Sequence, residues 1–498
     1  MEASGEPIGT LDLTLPDVLE LAGDGYAAIE DGEVLSYEKL RGRARGFAGE
    51  LAQLGVAPTD RVALLVTNCS EFLVAQYGAL QAGAVVVPIN TRLGTREIEA
   101  VLAHSEAVVV VAEERFREVE LRRKVLGIRP ALPSLRHVVQ AEELREVEAG
   151  EGTSAAAELR SEDPAVLLYT SGTTGRPKGC LHAHRSFVNS ARVTAESKDL
   201  HAEDRVLASV PFFNAFGSLN CILESFWAGA CIVMQRSFEA ADALDRIERD
   251  RVTVFLGTPT MWIRLREHPR FSPERIRSLR TGIVAGARAP QALVEEWRRL
   301  GCDLRVIYGM SELFSILEDG RPTPNTAVAV EESGELRARG PSRMLEYFRD
   351  SIATEERIVD GWVRTGDVAS PDACGQLEIV GRTDDMMIVG GFNVQPGEVE
   401  DVLRLHPGVA DAAVFGVRDR EYGERVAAWV VPRASAELDL EALREFCRRR
   451  VAGFKVPTYL HRVEELPLTA NGKVQRYRMR EATEREMLSL EAPAGASD

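Results

Sequence analysis

Short unbroken apolar runs alternate along this chain with stretches whose apolar positions recur at helical spacing. Residues 62–66 are a continuous apolar run, 70–80 carry helical spacing, and 84–87 are again apolar and mostly β-branched before Pro88. That order predicts a buried strand, a crossover helix and a second buried strand, the unit of a parallel sheet. It recurs around 108–111, 206–210, 231–234, 252–256 and 283–285. A doubly wound α/β body is the economical reading. From about residue 381 the pattern changes: strand-like runs at 412–415 and 426–431 alternate with shorter helices at 398–405 and 440–450. This predicts a small α+β domain of about a hundred residues. The last dozen residues, rich in Ala, Glu, Ser and Gly, read as a frayed tail.

Composition narrows the function classes. A chain of 498 residues with 45% hydrophobic side chains can bury several cores, so two to four domains or subdomains are expected. A formal charge of −17 argues against a general binder of nucleic-acid backbones, which needs a basic face. No apolar run reaches the roughly 18 residues of a membrane span, and the acidic start resembles no export signal. The seven cysteines are scattered singly, with no C-x-x-C pair, which predicts reduced thiols and a cytoplasmic protein rather than a disulfide or zinc framework.

The most informative segment is Tyr169-Thr170-Ser171-Gly172-Thr173-Thr174-Gly175-Arg176-Pro177-Lys178-Gly179. It follows the apolar run 165–168, so glycines and hydroxyls emerge at the carboxyl end of a buried strand, where open α/β sheets bind ligands. Inward-turned backbone N–H groups, hydroxyl donors and the Lys178 charge together describe a phosphate cradle. It is not a Walker A loop, because Lys178 follows Arg176-Pro177 and Gly179 stands where a magnesium-binding hydroxyl would be. His182 and His184 flank Ala183 with a spacing that would set both on one face of a strand. Without a third ligand nearby they read as ordinary strand histidines rather than a metal pair.

The loop resembles the signature of the family of acyl-CoA synthetases, nonribosomal peptide adenylation domains and luciferases. Further matches follow in that family's order across almost the whole chain: Tyr308-Gly309-Met310-Ser311-Glu312, Gly361-Trp362-Val363-Arg364-Thr365-Gly366-Asp367, Gly381-Arg382-Thr383-Asp384-Asp385 with Gly390-Gly391, and Pro467-Leu468-Thr469-Ala470-Asn471-Gly472-Lys473. The resemblance implies a large N-terminal domain, 1–381, of doubly wound sheets plus a β-barrel-like subdomain. A hinge at 382–384 and a small mobile α+β cap, 385–498, follow. It also implies an acyl-CoA ligase that activates a hydrophobic acid with ATP as an acyl-adenylate, then passes the acyl group to coenzyme A.

Roles carried over by the resemblance suit the chemistry, since charge builds on phosphate oxygens and preorganised cations stabilise it. Glu312 would hold Mg²⁺; Thr170, Ser171, Gly172, Thr173, Thr174 and Lys178 would steady the terminal phosphates; Lys473 would bridge the acid and the α-phosphate. Asp367 and Arg382 would take the ribose hydroxyls. Tyr308, with Gly309 and Ser311 following, would lie against adenine, and Gly286-Ala287-Arg288 would lie on its other edge. For thiol transfer Asp384 would be the hinge, and Gly390 and Gly391 would line a channel for pantetheine. Tyr422, Phe454 and Lys455 would hold the nucleotide end of CoA, by resemblance to aryl-CoA ligases. The acyl pocket would be lined by Phe213, Asn214, Phe216 and Gly217, by Gly257 and Thr258, and by Ala285. Aromatic and small residues there favour a fatty, aryl or bulky alicyclic acid over an amino acid, whose ammonium would need a carboxylate.

The chain departs from the family's pattern at three places. Asn214 stands where His is usual, Ser311 where Thr is usual, and the stretch 313–333 is shorter, with part of a glycine-rich strand-turn missing. A shortened border beside the nucleotide leaves two alternatives open. One is a ligase that mainly transfers thiol onto a preformed acyl-adenylate, since an error of about 1 Å can cost on the order of a hundredfold. The other loads a carrier protein instead of free CoA.

Overall fold

Within single strands the two-residue period of the pleat divides an apolar run between two cores. Val62 and Leu64 enter one buried cluster while Ala63 and Leu65 enter another, and Val109 and Val111 likewise part from Val110 and Ala112. Ile232 and Met234 join the first cluster as well, leaving Cys231 and Val233 to a third. Strands buried on both faces need helices on both faces, which is why these runs are continuous rather than alternating.

The computed structural model describes residues 2–150, 158–170, 178–383, 385–389, 392–419, 422–433, 438–468 and 474–491. Two compact units divide the chain: Met1–Ala329 with Arg337–Arg364, and Val330–Leu336 with Thr365–Asp498.

The first unit holds two doubly wound sheets. One has nine strands in the order Arg321–Pro322, Leu313–Glu318, Asp303–Met310, Thr281–Val284, Val254–Gly257, Arg205–Ala208, Cys231–Met234, Tyr26–Glu30 and Glu33–Ser36. Its six middle strands are parallel. The other has seven: Glu346–Tyr347, Lys178–Ala183, Pro164–Thr170, Val85–Pro88, Arg61–Leu65, Val109–Ala112 and His137–Gln140, parallel except for the first two. The helices Tyr37–Gln53, Ser70–Gln81 and His184–Ser197 contribute to the core shared by both sheets. Ser70–Gln81 is apolar almost all round because it is buried almost all round. Outer helices close the far faces, with Trp262 and Trp297 packed edge to face at 4.7 Å behind the larger sheet.

The crossover 61–88 forms as the pattern predicts, with Arg61–Leu65 parallel to Val85–Pro88. Two local expectations are corrected. His182 lies in the strand Lys178–Ala183, but His184 begins the helix His184–Ser197, so the two imidazoles do not share a strand face. The helix Arg476–Glu491 extends into what read as a frayed tail. The short ladders expected of a barrel-like subdomain are present, Glu2–Ser4 on Ala327–Val330 and Ile358–Val359 on the start of Trp362–Pro371, and no closed barrel forms among the described residues.

The second unit packs a five-stranded sheet between helices. Gly423–Pro432 is antiparallel to Val409–Asp419 and parallel to Tyr459–Arg462. Pro396–Arg404 and Leu440–Arg448 bury Val399, Leu403 and Leu443 on one face, and Met479 of Arg476–Glu491 packs with Phe415 on the other. Arg476 fastens these layers by donating to the Val414 carbonyl (3.0 Å), Asp385 (3.1 Å) and Glu400 (2.7 Å). Residues 365–381 belong to this unit because Trp362–Pro371 pairs with Leu377–Arg382 from Asp367 onward. The compact division therefore falls before the boundary at 381 that the motifs implied.

Candidate active site

Neighbouring parallel strands of the nine-stranded sheet end side by side, and the loops nominated by sequence leave from those ends. Gly257 is in register with Val284, and Val284 with Val306. Thr258, the turn Ala285-Gly286-Ala287-Arg288 and the Ile307-Tyr308 continuation are thus brought to one edge, the position at which α/β sheets take ligands. Ala285 is buried, Thr258 and Tyr308 are half-buried, and 286–288 are exposed. Gly286 adopts φ +84°, a conformation a side chain would strain, which turns the chain off the sheet.

The adjacent strand Arg205–Ala208 leads into the expected acyl-pocket segment, whose backbone is unusual. Residues Phe216–Leu223 form a π-helical turn continuing into Glu224–Ala228. Wide turns of this kind recur at functional sites. Asn214 starts it: its Oδ1 accepts the Gly217 N–H at 2.9 Å, and its carbonyl accepts from Ser218 N and Oγ, each at 3.0 Å. A Cβ at Gly217 would sit 2.0 Å from the Pro211 carbonyl oxygen, so only glycine fits. Asn68 donates to the Ala208 and Val210 carbonyls and accepts the Phe212 N–H at 2.9 Å, holding the same segment from the other sheet. Phe213 and Phe216 stay half-buried. Beneath them Asn220, Thr194 and Lys198 converge on the fully buried Glu224, with Lys198 Nζ 2.7 Å from its carboxylate. Burial raises the Glu224 pKa, although Lys198 opposes it.

Glu312 follows Asp303–Met310 at the opposite side of this edge and is almost fully buried. Its Oε1 accepts the Tyr347 hydroxyl at 2.5 Å, and the Tyr347 oxygen accepts Arg357 Nε–H at 3.1 Å. Burial, reinforced by the Glu312 charge, pushes the phenol pKa well above its usual value, so Tyr347 donates a proton rather than ionising. Lys178 Nζ lies 5.3 Å from the centre of the Tyr347 ring. The backbone of Glu312 is pinned too: its carbonyl accepts Met344 N–H at 2.8 Å, and the Ser311 carbonyl accepts His182 Nε2–H at 2.6 Å. His182 stacks on Phe314 at 4.3 Å, and burial lowers its pKa to about 4, so it is a neutral donor fixed by the core. His184 is buried and neutral as well, with its pKa lowered to about 4, and accepts the Leu15 N–H at 3.1 Å.

One hard carboxylate with a single oxygen engaged suits Mg²⁺, which prefers one or two protein carboxylates and completes its shell with phosphates and water. Among the described residues no cluster of three or more His, Cys, Asp or Glu side chains competes for that part.

The phosphate segment is placed by its two ends. Pro164–Thr170 and Lys178–Ala183 are antiparallel, with Tyr169 opposite Gly179 and Thr170 opposite Lys178. The phosphate segment therefore joins two antiparallel strands. Tyr169 Oη is 2.7 Å from His104 Nδ1, tying the entry strand to the helix Thr95–Ser105. Ser171, Gly172, Thr173 and Thr174 lie outside the described residues, as does the Thr170 side chain. The stretch 313–333 is ordered: Leu313–Glu318 and Arg321–Pro322 form a hairpin closed by Asp319-Gly320, both at positive φ, and Leu317 pairs with Tyr308. The shortened segment thus buttresses the strand that carries Tyr308.

In the second unit Asp367 and Arg382 are cross-strand partners, joined through Arg382 Nε and Asp367 Oδ1 at 2.9 Å. The buried Thr365 Oγ1 accepts the Asp367 N–H and donates to the Leu336 carbonyl, so Asp367 is held in a strand rather than merely capping a turn. Tyr422 carries Arg425 over its ring at 3.6 Å, Phe454 stacks on Phe392 at 4.7 Å, and Lys455 pairs with Glu398 at 2.5 Å. Asp384, Gly390, Gly391 and Lys473 lie outside the described residues.

Sequence reasoning did not find Asn220, which lies in the pocket segment itself, nor Tyr347 and Arg357, which reach the site from distant positions. The signal of the latter two is positional only, a tyrosine and an arginine between two motifs.

The chain is similar to known proteins over most of its length. Residues 19–348 match the family described as AMP-binding enzyme, and residues 398–473 match the AMP-binding enzyme C-terminal domain. A Mycobacterium tuberculosis protein, 3-[(3aS,4S,7aS)-7a-methyl-1,5-dioxo-octahydro-1H-inden-4-yl]propanoyl:CoA ligase, is 36% identical over 95% of this chain and 98% of its own. A feruloyl-CoA synthase of Amycolatopsis sp is 34% identical over 89% of this chain and 93% of its own. Among solved structures, the anthranilate CoA ligase AuaEII in complex with anthranoyl-AMP superposes with a TM-score of 0.86 at 26% identity, covering 96% of this chain and 98% of that one.

Proposed function

The chain belongs to the AMP-binding enzyme family, and on that premise we propose that it joins a ring-bearing hydrophobic carboxylic acid to coenzyme A. It is an acyl-CoA ligase of the AMP-forming type, working with ATP, Mg²⁺ and CoA. The observation that carries the substrate class is the π-helical segment with half-buried Phe213 and Phe216 beside the glycine and alanine turns at Gly257 and Ala285. No carboxylate stands among those positions to hold an α-ammonium group. The acids in the names of the relatives above all carry rings.

The chemistry divides into two steps. The acid's carboxylate oxygen attacks the α-phosphorus while the bond to pyrophosphate breaks. The CoA sulfur then attacks the acyl carbon while its proton passes to the departing AMP phosphate or to water and the bond to AMP breaks. The first step moves no proton, so there the chain's contribution is placement and fixed charge. Lys178 and the 170–174 segment hold the terminal phosphates, Tyr308 and 286–288 hold adenine, and Asp367 with Arg382 holds the ribose. Lys473 aligns the acid with the α-phosphate. Glu312 is the residue that would hold Mg²⁺, which when bound offsets charge on phosphate oxygens. In the second step Gly390 and Gly391 leave room for pantetheine, with Asp384 as the hinge, and Tyr422, Phe454 and Lys455 meet the CoA nucleotide. Free thiols throughout, with Cys374 alone exposed, fit a reducing, cytoplasmic setting, and free CoA rather than a carrier protein is the acceptor in this reading.

The test is ATP–pyrophosphate exchange with alicyclic, aryl, linear fatty and amino acids, set beside CoA-ester formation from the synthetic acyl-adenylates. Exchange with ring-bearing acids and not with amino acids is expected. Efficient transfer without exchange from any acid would replace the full ligase with an enzyme of the second half-reaction alone.

A further inference from the structure

The polar chain that ends on Glu312 extends beyond what holding one carboxylate requires. It begins at Arg364, whose carbonyl accepts Arg357 Nη1–H at 2.6 Å, and runs through Arg357 Nε to the Tyr347 oxygen and from the Tyr347 hydroxyl to Glu312 Oε1. Arg364 is the last residue of the first unit, directly before Thr365-Gly366-Asp367. Tyr347 is 2% exposed and Glu312 8%, so the links between them lie in a medium where hydrogen bonds are strong and an unmatched charge is costly. Arg357 uses its fork for two different tasks, Nε on a side chain and Nη1 on the backbone, which lysine cannot reproduce. Its helix Ser351–Arg357 is short, but it is fixed by Asp350 accepting the Ala353 N–H at 3.0 Å and by Thr354 donating to the Asp350 carbonyl at 2.7 Å.

We propose that Arg357 is a positioning residue for the adenylation step. Acting through Tyr347, it keeps one Glu312 oxygen engaged and leaves the other for Mg²⁺. This rests on the ligase reading and deepens it. Three consequences separate it from a merely structural role. Loss of the chain impairs the ATP half of the reaction and spares thiol transfer, because only the first step gathers charge beside Glu312. It weakens metal-dependent nucleotide binding more than nucleotide binding without metal. Arg357 and Tyr347 act in series, so removing both costs no more than removing one.

The experiment compares wild type with Tyr347→Phe, Arg357→Leu, Arg357→Lys and the Tyr347→Phe/Arg357→Leu double variant. Binding of a nonhydrolysable ATP analogue is titrated with Mg²⁺ by calorimetry, and exchange and transfer from a synthetic acyl-adenylate are measured in parallel. Each single variant is expected to need about tenfold more Mg²⁺ for half-maximal analogue binding and to exchange about tenfold more slowly, with transfer within about twofold of wild type. Arg357→Lys should behave as Arg357→Leu, and the double variant as either single one. Unchanged Mg²⁺ midpoints, equal loss of both half-reactions, or additive effects in the double variant would overturn the proposal. Should Arg357→Leu not fold, Tyr347→Phe, which removes one oxygen, and Arg357→Lys carry the same readings. A wild-type enzyme without exchange would instead sink the ligase reading, and the Mg²⁺ titration would still decide whether Arg357 acts on Glu312.

Discussion

The two units hold their candidate residues by different means. In the first, Glu312 is set by buried bonds, Asn214 by bonds to the helical segment it starts, and the turn at Gly286 by a positive φ, while Gly217 tolerates no side chain. In the second, Asp367–Arg382, Tyr422–Arg425 and Lys455–Glu398 are pairs with at least one partner near the surface, Arg382 being 48% exposed at its side chain and Asp367 13%. Surface pairs contribute little to stability and exchange partners readily. The first unit therefore couples site geometry to folding, whereas the second can present a group to a ligand at small structural cost.

Five substitutions or conditions probe that contrast, and the largest effect of a single substitution belongs to the second unit. Lys473→Ala should slow pyrophosphate exchange by on the order of 10³-fold, about 4 kcal/mol, with no change in melting temperature and with transfer from acyl-adenylate retained. Destabilisation comparable to the exchange loss would erase the contrast. Acid comes next and should act on the first unit. Burial lowers His182 and His184 to about 4 from an unfolded value near 6.5, so the unfolded chain binds more protons between those limits. Stability should be unaffected above pH 6.5 and fall as pH drops toward 4, by on the order of 3 kcal/mol for each ring. Urea unfolding from pH 7 to pH 4.5 measures it, and His182→Phe should remove about one ring's share of the slope. Gly217→Ala forces a Cβ against the Pro211 carbonyl and should cost about 2 kcal/mol by thermal unfolding, together with a higher KM for the acid. Asp367→Asn should raise KM for ATP about tenfold while changing stability by less than about 0.5 kcal/mol. Smallest is Tyr422→Ala, at about threefold in KM for CoA with an unchanged melting curve.

Much of the fold was legible because parallel strands buried on both faces write themselves as apolar runs. Residues 231–234 and the crossover 61–88 needed no further information. His184 misled because a two-residue spacing reads as a strand even when the strand stops between the two imidazoles, and nothing local marks Ala183 as the place where a helix begins. The π-helical turn was equally silent, since its apolar spacing resembles an ordinary helix and the close approach of Gly217 to Pro211 exists only in the folded chain. At the site, residues inside motifs could be nominated from the sequence. Tyr347 and Arg357 could not, because their meaning comes from a contact made 35 positions away with Glu312. The shortened stretch 313–333 reads as a loss in the sequence and as a tight hairpin in space, because Asp319-Gly320 closes in two residues what a longer turn would span.

That hairpin also bears on how the protein behaves in a crowded solution. A nine-stranded sheet exposes two margins on which foreign strands could dock, and long open margins seed aggregation. Here one margin shrinks to Arg321–Pro322, and proline has no N–H to offer. The strand behind it is already spoken for: Thr323 N–H meets the Ile316 carbonyl at 3.1 Å and Ser342 Oγ meets the Phe314 carbonyl at 2.8 Å. A longer, freer ribbon in this place would leave those carbonyls as an invitation to another copy; here Thr323 and Ser342 of the same chain seal them.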